Sequence, residues 1–154
     1  MSIRLAAKAL VVREGKLLLN RCRSHQGHPY YSFPGGGQNL GETLEEAVAR
    51  EVLEETGLTV RFERFVAFFE EIAKEPAFQA EHPDYFHKSY HFCRCALLDD
   101  APVPPSEMDS NQEGSVWVPL EDVAELPLYP EPVRAELPRL LSADAPVYLG
   151  SVRR

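Results

Sequence analysis

Apolar positions along the chain fall into short runs separated by polar and glycine- or proline-rich breaks. Residues 3–12 ("IRLAAKALVV") and 16–22 ("KLLLNRC") read as two strands joined by a short hairpin connection at Arg13, Glu14 and Gly15. A loop follows, then a short strand through Tyr31 to Phe33, ended by Pro34 and three glycines. The stretch "TLEEAVAREVLEET" has helical periodicity. Thr43 and Glu46 form a capping-box pattern at its start, and Gly57 sits where a C-terminal stop belongs. Residues 59–72 are rich in β-formers, 73–88 read as a polar loop or insertion, and 89–98 as another strand. A long acidic, proline-rich loop spans 99–114, and "SVWVPL" is a short strand after it. Residues 130–143 predict a helix begun by proline and broken or kinked at Pro138, and "PVYLG" a last strand or docked tail. Strands around one strong helix, then more strands and a second helix, point to an α/β fold: a mixed sheet with helices against it. No repeat or linker divides the chain, so residues 1–154 are expected to form one domain.

The strong helix has an unusual inner face. At about 100° per residue, Leu44, Ala47, Val48 and Val52 define an apolar stripe. Glu51 and Glu55 fall inside that stripe and Glu54 at its edge, while Glu46, Arg50 and Leu53 take the solvent side. Arg50 and Glu51 are adjacent, diverge by ~100° and are not expected to pair directly. Carboxylates turned inward are badly desolvated without a partner. Either a divalent cation or buried basic groups neutralise them, or the helix end is simply solvated and acidic.

Composition narrows the choice. Lys and Arg number 16 against 24 Asp and Glu, and no basic cluster of matching size is visible. A net charge of −8 argues against a nucleic-acid polymer as partner. Three cysteines make no disulfide framework; Cys93 and Cys95 alternate across Arg94 and are expected to be small buried residues on one side of a strand. His25 and His28 have a spacing resembling a zinc pair, but nothing completes the set, so they are read as loop residues. The N-terminus lacks a signal-peptide pattern and no stretch is long and apolar enough for a bilayer, so a cytoplasmic protein without membrane contact is expected.

Glycine-rich "FPGGGQNLGE" feeds directly into the helix start, where backbone N–H groups favour anions. Residues 36–58, "GGQNLGETLEEAVAREVLEETGL", resemble the Nudix box: Gly36, Glu42, Arg50, Glu51, Val52, Glu54, Glu55, Gly57 and Leu58 all stand at its fixed positions. The box covers about one seventh of the chain; the flanking strands and "VWVPLEDV" are similar to the family less specifically.

The resemblance implies an α/β/α sandwich and a hydrolase that cleaves a nucleoside diphosphate linked to another moiety by water attack on phosphorus, with Mg²⁺ or Mn²⁺. By that resemblance Glu51, Glu54, Glu55 and the carbonyl of Gly36 would hold metal, Arg50 would orient a box glutamate, and Glu42 would brace the loop or meet substrate. The general base would be Glu54 or an acid of the 99–114 loop, Glu113 before Glu107. Arg21, Arg23 and Tyr31 are candidates for substrate binding, with Tyr85, Phe86, His87 and Tyr90 as further pocket aromatics. Specificity is expected in the loops at 24–32, 73–88 and 99–114, and a homodimer is expected from the family. A non-catalytic nucleotide sensor is the alternative; such modules typically lose box acids, and this chain keeps them. An isomerase of the isopentenyl diphosphate type has no support in three scattered cysteines.

Overall fold

The computed structural model describes residues 2–99 and 101–154; Met1 and Asp100, the latter within the loop expected at 99–114, lie outside the described residues. Nine strands form one mixed sheet system in the order β8-β3-β2-β1-β6-β5-β9, with β4 added to β1 and β7 to β2. They are β1 (Arg4–Arg13), β2 (Lys16–Arg23), β3 (Pro29–Ser32), β4 (Gly35–Gly37), β5 (Thr59–Ile72), β6 (His87–Asp99), β7 (Gln112–Pro119), β8 (Leu128–Tyr129) and β9 (Val147–Arg153). The helices are α1 (Leu44–Thr56), α2 (Pro76–Glu81) and α3 (Glu131–Ser142). β1 runs parallel to β6, β5 to β9 and β3 to β8; the other pairs are antiparallel.

β1 is central because alternate residues are apolar toward both faces. Ala6 and Leu10 join Tyr90 and Phe92 of β6 and Val133, Leu137 and Leu140 of α3 in one core. Ala7, Ala9 and Val11 join Cys93, Cys95 and Ala47, Val48 and Val52 of α1 in the other. The sheet is therefore sandwiched between α1 and α3. Cys93 and Cys95 are buried and unbridged on the α1 side, as the alternation predicts.

The first hairpin closes through Glu14 and Gly15, both left-handed, with Arg13 opposite Lys16. α1 carries both halves of its capping box: Glu46 N–H donates to Thr43 Oγ1 at 3.2 Å and Thr43 N–H to Glu46 Oε2 at 2.8 Å. It ends at Gly57, whose φ of 74° favours glycine and whose N–H reaches Leu53 O at 2.9 Å.

Several expectations are corrected. The three glycines are strand β4, paired with Ala6, Ala7 and Lys8 of β1, because a backbone without side chains can pass close to Ala7, Arg4 and Glu51. α3 continues through Pro138, since packing of Val133, Leu137 and Leu140 into the core outweighs one missing backbone donor. The 73–88 segment contains the short helix α2. Of the two readings of the C-terminal stretch the strand holds, residues 147–153 pairing with β5. No helix among the described residues is long and apolar enough to cross a membrane.

Candidate functional site

α1 packs against the sheet through its apolar stripe, and this turns its glutamates toward β4. Glu55 is buried, 1% exposed. Its Oε2 accepts from Asn20 Nδ2 at 2.7 Å and from the Gly35 N–H at 2.9 Å, while Oε1 has no hydrogen-bond partner. Burial pushes its pKa up to about 7, against the pull of Lys8 and the two hydrogen bonds. Glu51 faces Gly36 so closely that a Cβ there would lie 2.6 Å from its carboxylate, and burial raises its pKa also, opposed by Arg50.

Arg50 departs from the expectation that it faces solvent and avoids Glu51. Its long side chain folds back along the helix surface, so adjacency at the backbone does not keep the charged ends apart. Nη1 donates to Glu51 Oε1 at 2.9 Å and to Glu54 Oε2 at 3.2 Å. Nε and Nη2 grip both oxygens of Glu42 at 2.6 and 3.0 Å, and Nη2 also reaches Gly37 O at 3.0 Å. With the Asn39 N–H on Glu42 as well, that carboxyl is lowered to about 2, the guanidinium bonds being the main cause. Arg50's own pKa is raised by the same pairing.

These groups border a pocket of about 560 Å³. Glu51 and Glu54 make the acidic wall, and the β4 glycines touch both Glu51 and Arg4. Arg4, Lys8 and Lys88 are the cations of the other, brought together by the parallel register that sets Arg4 beside Lys88 and Ala6 beside Tyr90. Lys8 Nζ donates to Gly35 O at 2.7 Å, and the Arg4 guanidinium lies over the Tyr85 ring at 4.6 Å. The acidic loop closes a third side. The Ser106 and Glu107 N–H groups both donate to Glu54 O at 3.0 Å, and Val103 N–H to Gly57 O at 3.0 Å, so the loop is tied to the end of α1. That tie puts Glu107 and Asp109 into the pocket.

The structure thus brings Gly36, Arg50, Glu51 and Glu54 to one pocket, with Glu55 buried just behind through Gly35. Of the further candidates, Glu107, Tyr85 and Tyr90 also line it, whereas Glu113, Arg21, Arg23, Tyr31 and Glu42 do not. Glu113 accepts from Arg23 Nε at 2.6 Å on an exposed edge of β7, because the register of β7 against β2 carries it past the pocket. Arg21 is exposed beside Gly114, Tyr31 packs against the α3-side core, and Glu42 is consumed by Arg50 and Asn39. The cations missed by the sequence reading had one signal: basic Arg4 and Lys8 at even spacing in an otherwise apolar strand, which puts both on one face.

Hard oxygen donors suit a Mg²⁺-class ion. The inward carboxylates, the orphaned Glu55 Oε1 and the close backbone of β4 fit such an ion chemically. Among the described residues no three His, Cys, Asp or Glu side chains are already gathered as a metal cluster; Arg50 occupies Glu51 and Glu54, and Asn20 and Gly35 hold Glu55.

The family model for the NUDIX domain matches residues 2–140. The chain belongs to the Nudix family. It is 29% identical to Nudix hydrolase 2 of Arabidopsis thaliana over 129 residues, which is 82% of this chain and 42% of that one. It is 31% identical over 71 residues to the ADP-ribose pyrophosphatase of Methanocaldococcus jannaschii, 46% of this chain and 42% of the other. The chain thus spans about two fifths of the length of these curated relatives. A solved NUDIX hydrolase from Nitrosomonas europaea superposes with a TM-score of 0.71 over 91% of this chain and 88% of that one, at 16% identity, and so shares the Nudix fold.

Proposed function

We propose that this Nudix protein is a pyrophosphohydrolase that uses Mg²⁺ or Mn²⁺ to cleave a nucleoside diphosphate linked to another group. The observation that carries the reading is the meeting of opposite charges in one pocket: Glu51 and Glu54 line it together with Arg4, Lys8 and Lys88. A diphosphate brings negative charge that needs cations on both sides. Arg4 and Lys8 supply them directly on the sheet side. On the helix side Glu51, Glu54 and Glu55, with the Gly36 carbonyl, would hold a divalent ion, which when bound draws charge from the phosphate oxygens and lowers the pKa of nearby water.

The chain's own groups do the rest. Arg50, clamped by Glu42, fixes the orientation of Glu51 and Glu54. The base that takes the proton from the attacking water must border the pocket, and Glu107 does so where Glu113 does not. Glu54 is the less suited to that role, because its Oε2 is already engaged by Arg50 Nη1 at 3.2 Å. The name of the ADP-ribose pyrophosphatase relative supports a diphosphate substrate of this class.

The test is incubation of the pure protein with Mg²⁺ and a panel of ADP-ribose, nucleotide sugars, dinucleoside polyphosphates and nucleoside triphosphates. Release of a nucleoside monophosphate, stopped by EDTA, is expected. Tight binding without turnover of any member would replace the enzyme by a nucleotide sensor.

A further inference from the structure

Lys88 is unusual. It borders the box pocket, a second cavity of about 750 Å³ and a third recess against Glu71, so it stands where all three meet. It is partly buried, yet its ammonium has no hydrogen bond or ion pair among the described residues. Burial lowers its pKa, and Arg154, Lys8 and Arg4 add to that against the attraction of Glu71. Arg4 is its direct neighbour across the parallel strands, and like charges so placed repel. An anion bound beside Lys88 would relieve this repulsion.

The second cavity continues the same field away from the box. Its charged groups are Lys88, Arg134 and Arg154 against Glu131. Arg134 is steadied by Leu126 O at 2.9 Å and Glu131 at 3.0 Å. Arg154 donates to the buried Glu71 at 2.5 Å and lies over the Tyr129 ring at 5.3 Å. Tyr129 lines the cavity too, and its buried hydroxyl has no partner. In a chain of net charge −8, this is a local excess of donors and positive charge.

We propose that the second cavity binds a further phosphate group of the substrate, separate from the diphosphate that is cleaved, and that Lys88 is the residue that reads it. A phosphate offers several acceptor oxygens and close to two charges, which suits a lysine point charge flanked by arginines better than a single carboxylate does. Because Lys88 and Tyr90 line both cavities, one ligand can lie across them, diphosphate against the box and phosphate beyond. The proposal rests on the box pocket being the diphosphate site, and it makes phosphorylated nucleotide derivatives the preferred class.

The test is calorimetric binding in EDTA, so that it does not depend on turnover. Paired ligands differ by one phosphate: ADP-ribose with and without a 2′-phosphate, and ADP against ATP. In at least one pair the richer ligand should bind about 10- to 100-fold tighter, the range for a charge-assisted contact. Lys88→Met should abolish that difference and Lys88→Arg retain it, with melting curves showing both variants folded. Equal binding within both pairs, or a difference that survives in Lys88→Met, overturns the proposal. If hydrolysis is intact while the phosphate preference is absent, this inference alone falls. If the preference is present and no diphosphate is cleaved, the hydrolase reading alone falls, and if both are absent both fall.

Discussion

The two walls of the box pocket are built in opposite ways. The acidic wall comes from one helix and the strand before it, and its carboxylates are already engaged: Arg50 holds Glu51 and Glu54, while Asn20 and Gly35 hold Glu55. The basic wall comes from β1 and β6, far apart in the chain, and its cations are unevenly held: Lys8 is bonded to the Gly35 carbonyl, Arg4 lies over an aromatic ring and Lys88 has no bonded partner among the described residues. One wall is preorganised and the other is left in mutual repulsion. A site built this way fixes the groups that must be placed accurately and leaves binding strength to charges that an anionic substrate satisfies. The acids themselves differ for the same reason. Glu42 is lowered to about 2 because a guanidinium grips both its oxygens, and Glu55 is raised to about 7 because burial outweighs Lys8 and the donors Gly35 and Asn20.

Removing the preorganised wall should hurt most. Glu51→Gln keeps the shape but removes the charge, and a loss of about 10²- to 10⁴-fold in kcat is expected, with the melting temperature close to wild type. Wild-type turnover in that variant would mean that the acidic wall does not serve the chemistry. The acidic loop gives the next contrast. Glu107→Gln should lower kcat by about 10²-fold as loss of a general base, whereas Glu113→Gln, whose partner Arg23 lies outside the pocket, should stay close to wild type. The reverse order would move the base to β7.

On the basic wall, Arg4→Ala should raise KM by about 10- to 100-fold with a smaller change in kcat, because it removes a charged contact made to substrate before and during reaction. An equal fall in kcat at unchanged KM would place Arg4 in the transition state only. The smallest effect concerns stability. Glu42 has a folded pKa of about 2 against an ordinary value of 4.5, so its contribution is complete above about 4.5 and is lost as pH falls toward 2. Thermal melts from pH 6 to pH 2 should therefore decline less steeply in Glu42→Gln than in wild type, and parallel curves would show that the Arg50 clamp is absent in solution.

Much of the acidic wall was readable in the chain. The capping box, the Gly57 stop and the placement of Glu51 and Glu55 within the apolar stripe depend on neighbours within a few residues, and the structure has all of them. Arg50 was misjudged because projection on a helical wheel places Cα atoms, not the ends of a long flexible side chain. In the acidic loop Glu113 is preferred to Glu107 on sequence; hydrogen bonds from that loop to the carbonyl of Glu54 and the register of β7 on β2 reverse the order by setting Glu107, not Glu113, beside the pocket.

The sequence by itself determined the helix, its ends and the inward set of carboxylates, because those follow from local periodicity and capping. Only the tertiary structure decided which cations face them. Arg4 and Lys88 become neighbours through a parallel pairing between distant strands, and no local rule fixes such a register.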